Sequence, residues 1–318
     1  MERISVVITT HNRYSDLISC LNSVVSSSYR PLEVIIVDDC SIDETRHLDE
    51  TSLNAILQGD LTSVKIIVIH NKENWKMIHS RNIGAKTASA NYIVFIDDDN
   101  IVDVNMIKEL YLCAVNNPRY GVIGPKSYYH ATDNIIWWYV QKINLFTGRT
   151  TYVYNGNKDK GERLYDVISE TDGVPNLFMI PKRVFEKCGY FDESLIQTFT
   201  EPDFSFNARR YGFSSVVCPS AITYHNCGGP SNGPDRVMGN IQAKAYCLIR
   251  NRFVIVKRYA APYKRPIFIF MFSWVWLMLY ITSAVKIKRY DRIKYYLLGY
   301  VDGLYYFVKD KFRKVHFK

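Results

Sequence analysis

The chain has 318 residues, of which 47% are hydrophobic and 14% aromatic, enough for one large α/β domain or two modest ones. Its net charge of +9 is unevenly distributed, because residues 1–249 contain 24 Lys+Arg and 28 Asp+Glu, whereas residues 250–318 contain 16 and 3. Seven scattered cysteines without a C-x-x-C pair argue against a zinc cage or a disulfide scaffold and favour a reducing compartment.

The first hundred residues alternate between short apolar runs and helical patterns. The predicted strands are Ile4–Thr9, Leu32–Val37, Val64–Ile69 and Tyr92–Ile96, and the predicted helices are Asp16–Ser27, Asp43–Leu57 and His79–Ala88. This alternation predicts an α/β protein with a parallel sheet and right-handed crossovers. Because the first strand begins at Ile4 with no signal peptide before it, we expect the catalytic part to stay in the cytoplasm.

The next part of the chain mixes both kinds of element. Predicted helices are Asp103–Asn116, Arg183–Cys188 and Phe204–Gly212, and predicted strands are Gly121–Lys126, Asn134–Val140, Asn176–Ile180 and Ser215–Pro219. The polar stretches Asn155–Gly161 and Cys227–Pro234 predict loops, and the second marks a domain edge. We therefore predict a catalytic domain at residues 1–249, with a donor half at about 1–100 and an acceptor half at about 101–230. A separate tail follows at 250–318.

Three aspartates, Asp97, Asp98 and Asp99, directly follow the fourth predicted strand. Adjacent carboxylates repel one another unless a cation lies among them, and oxygen ligands suit Mg²⁺ or Mn²⁺. Two other predicted strands also end in polar segments, Thr9–Arg13 and Asp38–Ser41. An aspartate in the second segment could simply cap the following helix. Three polar strand ends at one edge of a sheet instead predict a nucleotide site.

Taken together, these motifs make the chain resemble glycosyltransferase family 2, whose members have the GT-A fold and use nucleotide sugars. The matching segments, in the family's order and spacing, are Val6–Arg13, Val34–Thr45, Ser80–Ala85, Tyr92–Asn100, Gly189–Glu193 and Thr200–Ser205. The resemblance implies a Rossmann-like, mostly parallel sheet with flanking helices. It also implies a metal-dependent transfer of a sugar with inversion.

The resemblance assigns the nucleoside contacts residue by residue. Thr9 and His11 occupy positions where the family contacts the nucleobase, with His11 in place of the more usual Tyr. Asp39 matches the carboxylate that accepts a hydrogen bond from the base, commonly a pyrimidine. Arg81 occupies a position where a basic residue approaches the nucleotide, and a charge-assisted contact to phosphate is expected there.

The same resemblance assigns the metal site. Asp97, Asp98 and Asp99 stand at the D-x-D motif, with Asp99 as the main ligand of Mn²⁺ or Mg²⁺. Either Asp98 or Asp97 is expected to reach the ribose or a metal-bound water, and Asp97 is also a candidate metal ligand. His225 either completes the metal or pyrophosphate site or is a structural histidine.

The catalytic base is expected in the segment Thr200–Asp203. Inversion requires a carboxylate that removes the proton of the acceptor hydroxyl, and Glu201 occupies the base position where the family usually has Asp. Asp203 matches a second acidic position that stabilises the loop or the acceptor. Alternatively, Glu201 caps the helix after Pro202. The pair Trp137 and Trp138 is either an acceptor platform or part of the core.

Residues 250–318 contain twenty consecutive uncharged residues, Pro266–Val285, enough to cross a bilayer. Tyr295–Val308 is shorter, contains Asp302 and suits an interfacial helix. A single span would place ten Lys and Arg residues outside, against the positive-inside rule. We therefore predict a pair of in-plane or re-entrant helices on the cytoplasmic face, held by apolar insertion and anionic lipid. A single span is the second alternative, and a buried core helix is the third.

The tail also resembles the C-terminal region of rhamnosyltransferase-like members of the family, at Arg250-Asn251-Arg252 and at Leu298–Leu304. A basic, aromatic tail is compatible with nucleic-acid binding, but an uncharged stretch of this length argues against it.

The predicted function is the transfer of one sugar from a nucleotide-sugar donor to a lipid-linked or growing glycan acceptor. Addition of a single sugar is favoured because the chain lacks the Gln-x-x-Arg-Trp string of processive synthases. A sugar nucleotidyltransferase is one alternative, although the Gly-rich loop expected there after the first strand is absent. The other alternative is an inactive, membrane-tethered nucleotide-sugar binding protein.

Overall fold

The computed structural model describes residues 1–162, 165–226 and 242–313. The chain forms two compact units. The first comprises Met1–Gln141, Tyr152–Phe191 and Phe204–Pro230, and the second comprises Lys142–Thr151, Asp192–Asp203 and Ser231–Lys318. The second unit thus includes the predicted tail together with three segments of the predicted catalytic region, residues 142–151, 192–203 and 231–249. The predicted loop Cys227–Pro234 lies outside the described residues.

Within the described residues, ten strands form one sheet and two more form a hairpin. The strands in chain order are β1 (Ile4–Thr10), β2 (Leu32–Asp38), β3 (Val64–His70), β4 (Tyr92–Asp97), β5 (Asn100–Val102), β6 (Tyr120–Tyr129), β7 (Ile136–Trp138), β8 (Val140–Asn144), β9 (Arg149–Val153), β10 (Ser169–Glu170), β11 (Leu177–Pro181) and β12 (Ser214–His225). The main path runs β10-β12-β6-β11-β4-β1-β2-β3, while β5 pairs with β12, β7 with β6, and β8 with β9.

The predicted parallel order of the first four strands is confirmed, because β3, β2, β1 and β4 are parallel neighbours. The second half of the sheet is mixed. β11 pairs antiparallel with both β4 and β6, and β6 is parallel to β12. Every residue of β1 and β2 is buried, which accounts for their continuous apolar runs.

The helices are α1 (Tyr14–Val25), α2 (Glu50–Ile56), α3 (Met77–Thr87), α4 (Met106–Asn116), α5 (Lys182–Cys188), α6 (Thr200–Arg210), α7 (Gln242–Tyr259), α8 (Lys264–Lys286, with a π-helical turn at Phe268–Phe272) and α9 (Asp291–Lys309). In α1, the buried residues Leu17, Leu21 and Val24 recur at helical spacing and pack in the core of the first unit.

Two helices differ from their predicted bounds for identifiable reasons. The predicted helix Asp43–Leu57 is divided into a 3₁₀ turn at Glu44–His47 and the short helix α2. Asp49 starts α2 anew through a capping box, accepting a hydrogen bond from Ser52 N while Ser52 Oγ accepts one from Asp49 N. Helix α6 begins at Thr200 rather than Phe204, so both predicted acidic site residues fall in its first turn.

In the second unit, α7 and α9 pack closely through two glycines. A Cβ atom on Gly299 would lie 2.3 Å from Tyr246 O, and one on Gly303 would lie 2.4 Å from Phe253 Cδ2. Both glycines belong to the segment that resembles the rhamnosyltransferase-like tail. They therefore allow α9 to approach the backbone of α7 more closely than any larger residue would.

Among the described residues, α8 is the one helix that is long and apolar enough to cross a membrane. Only 28% of its most apolar stretch is buried. Phe270, Trp274 and Met278 are 76%, 52% and 58% exposed. Within its unit, α8 is therefore not a buried core helix, which was the third alternative predicted for Pro266–Val285.

A buried glutamate ties three strands and a loop of the first unit together. Glu33 on β2 is fully buried, and its carboxylate accepts hydrogen bonds from Ser5 Oγ, Ser89 N and Ser89 Oγ and an ion pair from Lys65. Burial by itself raises the pKa of Glu33, but the bonds from Ser5 and Ser89, with the charge of Lys65, hold it below the usual value.

We expect Glu33→Gln to lower the free energy of unfolding at pH 7 by about 1–3 kcal/mol, because the amide leaves buried donors unpaired. Since the folded pKa lies below the unfolded one, ionised Glu33 stabilises the fold above the usual pKa of about 4.3. That contribution is lost as the pH falls through the folded pKa. Urea unfolding between pH 7 and pH 3 should show the two chains converging in acid. Glu186→Gln, at an exposed position of α5, is the control, and a constant difference would contradict this assignment.

Candidate active site

The carboxyl ends of β1, β2 and β4 bring the predicted site residues to one edge of the sheet. Thr9 lies opposite Asp97 across β1 and β4, and Thr10 lies opposite Asp38 across β1 and β2. Thr10 Oγ1 donates a hydrogen bond of 2.7 Å to Asp98 Oδ2. The convergence of strand ends that the sequence predicts is therefore present, and Thr10 is an additional contact.

Arg13 bridges two of the three aspartates. Its Nη1 lies 2.9 Å from Asp98 Oδ1 and 2.8 Å from Asp99 Oδ2. One guanidinium thus offsets the repulsion between two neighbouring carboxylates. Arg13 stands in the polar segment directly after β1, which is predicted to belong to the site, but the sequence alone gives its side chain no role.

Asp99 has the most densely bonded carboxylate of the motif. Its Oδ1 lies 3.3 Å from each of Asn100 Nδ2, Asn176 Nδ2 and His225 Nε2. His225 reaches this position because β12 pairs with β5, which sets His225 opposite Asn100. Burial by itself raises the pKa of Asp99, but His225 and Arg13 outweigh it and lower the pKa to about 2.

Asp98 has the opposite electrostatic character. Burial raises its pKa to about 6, despite the hydrogen bond from Thr10 and the charge of Arg13. Adjacent aspartates therefore differ in how readily they ionise. Asp99 therefore stays ionised to a lower pH than Asp98.

Asp97 and Arg81 are paired with each other. Arg81 Nη2 lies 2.6 Å from Asp97 Oδ1, and Arg81 is 2% exposed. Its guanidinium also lies 5.3 Å from the centre of the Phe178 ring, a cation–π distance. The structure therefore directs Arg81, predicted to approach the nucleotide, to the carboxylate of Asp97.

Asp39 organises the loop before α3. One of its oxygens accepts hydrogen bonds from Asn71 Nδ2, Trp75 N and Ser80 Oγ, and the other accepts one of 2.8 Å from Lys76 N. It does not cap the helical turn that follows it, a role taken by Asp43, which accepts from Thr45 N. The carboxylate predicted to contact the nucleobase is thus already bonded to the protein.

The predicted nucleobase residue His11 lies on the exposed side of this edge. His11 Nε2 is 3.0 Å from Asn12 Nδ2 and 3.1 Å from Asn74 Nδ2. Next to Asn74, the Trp75 ring lies 4.5 Å from the ring of His79 in an edge-to-face arrangement. These side chains form a polar and aromatic surface beside the loop that Asp39 holds.

The residues present fit a divalent cation in part. Within the described residues, no group of three His, Cys, Asp or Glu side chains could hold a metal. Of the predicted ligands, Asp99 and His225 converge, whereas Asp97 is paired with Arg81. Mg²⁺ and comparable ions are commonly bound by one or two protein ligands together with phosphate oxygens and water. An aspartate and an imidazole suit such a site for Mn²⁺.

The two tryptophans that follow β6 have different environments. Trp138 is 4% exposed, as the core-packing alternative expects. Trp137 is half-buried, and its ring lies 4.0 Å from the ring of His225. Trp137 therefore packs on the histidine that contacts Asp99.

Glu201 and Asp203 belong to the second unit. Glu201 is half-buried, and its Oε2 accepts a hydrogen bond of 2.8 Å from Thr200 Oγ1. Asp203 is 6% exposed, and its Oδ1 accepts bonds from Arg258 Nη1 and the Tyr259 hydroxyl. Burial raises the pKa of Asp203, although Arg258 opposes the shift. Asp203 therefore has the contacts of a residue that fixes a loop.

Comparison with known proteins places this geometry in a family. Residues 5–189 match the family described as Glycosyl transferase family 2. The chain is 28% identical to the glycosyltransferase GlyG of Streptococcus pneumoniae over 186 residues. This alignment covers 58% of this chain and 59% of that protein. The chain therefore matches less than two thirds of the length of this relative.

Two solved structures share the fold. The mannosyltransferase PcManGT of Pyrobaculum calidifontis, in complex with GDP-Man and Mn²⁺, aligns with a TM-score of 0.57 at 13% identity, covering 96% of this chain and 87% of that one. GalNAc-T7 with UDP, GalNAc and Mn²⁺ aligns with a TM-score of 0.58 at 19% identity, covering 84% of this chain and 54% of that one. At these identities the likeness concerns the fold, and it confirms the predicted GT-A architecture.

We expect Asp39→Asn to lower the free energy of unfolding without nucleotide by about 1–3 kcal/mol, because an amide leaves at least one buried N–H of the loop before α3 without an acceptor. Thermal and urea unfolding would measure the loss. Asp16→Asn, at a half-exposed position of α1, is the control. Unchanged stability combined with weaker nucleotide binding would instead support the predicted contact to the base.

Proposed function

Because the chain belongs to glycosyltransferase family 2, we propose that it is a metal-dependent, inverting enzyme that transfers a single sugar from a nucleotide-sugar donor to a lipid-linked or growing glycan acceptor at the cytoplasmic face of the membrane. The observation that carries this proposal is the contact between Asp99 and His225 at the carboxyl end of β4, flanked by Arg13. An acidic ligand, an imidazole and a guanidinium there suit a metal-bound diphosphate.

On the donor side, Asp99 and His225 would hold Mn²⁺ or Mg²⁺. The ion supplies positive charge that stabilises the diphosphate as it leaves. Arg13 is half-exposed and adds a cation at the same edge. The two structural neighbours solved with Mn²⁺ and with UDP or GDP-Man support a divalent ion and a nucleotide donor. A pyrimidine nucleotide remains our proposal for the base, on the positions of Thr9, His11 and Asp39.

On the acceptor side, Glu201 would act as the general base. Its carboxylate lies in the first turn of α6, where Thr200 Oγ1 donates a hydrogen bond of 2.8 Å to Oε2. The role of Asp203 would be to stabilise the loop, through Arg258 and Tyr259.

Membrane association is proposed from α8. The helix exposes Phe270, Trp274 and Met278, and Lys286 and Lys288 at its end are also exposed. Apolar side chains next to basic ones fit the interface of an anionic membrane. We propose that α8 lies in the membrane plane on the cytoplasmic side.

We expect Glu201→Gln to lower the rate of sugar transfer by about 10²–10⁴-fold while nucleotide binding is retained, because the amide cannot accept the proton of the acceptor hydroxyl. Incubation with UDP-, dTDP- and GDP-sugars and Mn²⁺ would first identify the donor. Glu193→Gln, an exposed glutamate in the same segment, is the matched control. Near-full turnover by a folded Glu201→Gln chain would remove Glu201 from the mechanism.

The Asp99→Asn variant tests the donor side of the proposal separately from the acceptor side. This variant should weaken Mn²⁺-dependent nucleotide binding, measured by calorimetry, as well as transfer. Glu201→Gln should affect transfer alone. If unsubstituted chain binds nucleotides equally well with and without Mn²⁺, the proposed metal site is wrong.

We expect the chain to float with vesicles that contain anionic lipid and to remain bound after a high-salt wash. Trp274→Ser combined with Met278→Ser should reduce binding at least tenfold, because burial of each large apolar side chain contributes about 1.5–3 kcal/mol. Tyr211→Ser, at an exposed aromatic position of the first unit, is the control. Release of the unsubstituted chain by salt alone would contradict apolar insertion.

A further inference from the structure

The segment that leads into Glu201 has an unusual backbone. Gln197 N donates a hydrogen bond of 2.6 Å to Leu195 O, and Ile196 between them has φ 63° and ψ −57°. This is a γ-turn of the rare and strained form with positive φ. Thr198 and Phe199 follow with φ of 61° and 58°. Three non-glycine residues within four positions are therefore in the left-handed half of conformational space, which is most unfavourable for β-branched side chains.

Two buried side chains of α7 hold this segment by its carbonyl groups. Asn251 Nδ2 lies 2.9 Å from Leu195 O, 2.7 Å from Gln197 O and 2.9 Å from Thr198 O. Arg250 Nη2 lies 2.8 Å from Ser194 O and 2.9 Å from Leu195 O. Arg250 Nε also donates to Asn251 Oδ1 at 2.8 Å, which orients the amide towards the carbonyls.

The ends of the segment are fixed by the same helix. Arg258 Nη2 lies 2.6 Å from Asp192 Oδ2, and Arg258 Nη1 lies 3.0 Å from Asp203 Oδ1. Glu201 stands two residues after Phe199 and two before Asp203. The backbone on both sides of the proposed base is therefore tied to α7.

We propose that Arg250 and Asn251 are positioning residues for catalysis, which hold the strained segment Leu195–Phe199, and through it the backbone of Glu201, in the conformation that transfer requires. This inference rests on the proposed role of Glu201 as the base. Strained backbone persists only where surrounding contacts over-determine it, and it concentrates at functional sites. Arg250 and Asn251 are 2% and 0% exposed; four of their hydrogen bonds go to carbonyl groups of this segment and a fifth goes to Ser194 O, directly before it.

The test compares Asn251→Ala with Ser273→Ala in the full chain. Asn251→Ala removes the donor shared by three carbonyls. Ser273→Ala, in α8, removes a buried hydrogen bond of 2.8 Å between Ser273 Oγ and the Tyr300 hydroxyl on α9 and leaves Arg250 and Asn251 in place. We expect Asn251→Ala to lower kcat by roughly 10- to 100-fold, because a displacement of about 1 Å in a catalytic group costs this much. The KM for the donor and the Kd for Mn²⁺-nucleotide should stay within about twofold, and Ser273→Ala should keep kcat.

A second measurement does not depend on activity. Thermolysin should cleave Asn251→Ala within Leu195–Phe199 faster than the unsubstituted chain, because cleavage follows the population of the open segment. Ser273→Ala should show no such increase. If Asn251→Ala does not fold, Arg250→Lys replaces it: lysine keeps the charge but loses the planar fork, and a smaller fall in kcat is expected.

Three results would be decisive. Wild-type kcat in a folded Asn251→Ala chain, or matched losses in kcat and donor binding, would overturn the positioning role. An unchanged cleavage rate would show that α7 does not hold the segment. Absence of sugar transfer by the unsubstituted chain with every donor would overturn the proposed function itself.

Discussion

The arrangement of the first unit depends on the need to accommodate three consecutive carboxylates at the end of one buried strand. Like charges at this spacing cannot all ionise without compensation. The structure compensates each aspartate differently: Arg81 pairs with Asp97, Arg13 bridges Asp98 and Asp99, and His225 contacts Asp99. Burial raises the pKa of Asp98 to about 6 despite Arg13, whereas at Asp99 His225 and Arg13 outweigh burial and lower the pKa to about 2. A single acidic motif therefore contains a structural ion pair, a weakly acidic group and a strong anion.

The sheet supplies these partners from distant parts of the sequence. Because β1 lies between β2 and β4, the polar segment after β1 reaches the aspartates directly. Because β5 pairs with β12, His225 is brought next to Asp99 from more than a hundred residues away. The short strand β5 follows the aspartates at once, so that the turn carrying Asp98 and Asp99 is fixed at both ends. A rigid turn of this kind suits a site that must hold charged groups at set distances.

The sequence was sufficient for features that depend on local pattern. The apolar runs predicted β1 to β4, and the strand ends predicted a polar edge. The contacts that decide what each side chain does were not predictable in this way, because they depend on long-range pairing. Arg13 and Asn176 reach Asp99 from separate elements. Asp39, predicted to contact a base, is bonded to a loop more than thirty residues later, and periodicity carries no information about such a partner.

The basic residues of the tail also differ from one another, because some are buried within the second unit and others are exposed. Arg250, Arg252 and Arg292 are 2%, 7% and 2% exposed, and the guanidinium of Arg252 lies 4.0 Å from the centre of the Trp276 ring. The guanidinium groups of Arg250 and Arg252 contact carbonyls and aromatic rings inside the unit, so they are not available to bind lipid headgroups. The charge of +13 counted over residues 250–318 therefore overstates the attraction to anionic lipid. In the proposed membrane association, each exposed basic residue would contribute about 1 kcal/mol near the surface, and the apolar face of α8 would supply most of the binding free energy. Insertion of α8 would then be the main source of membrane affinity, and the remaining lysines and arginines would favour anionic membranes.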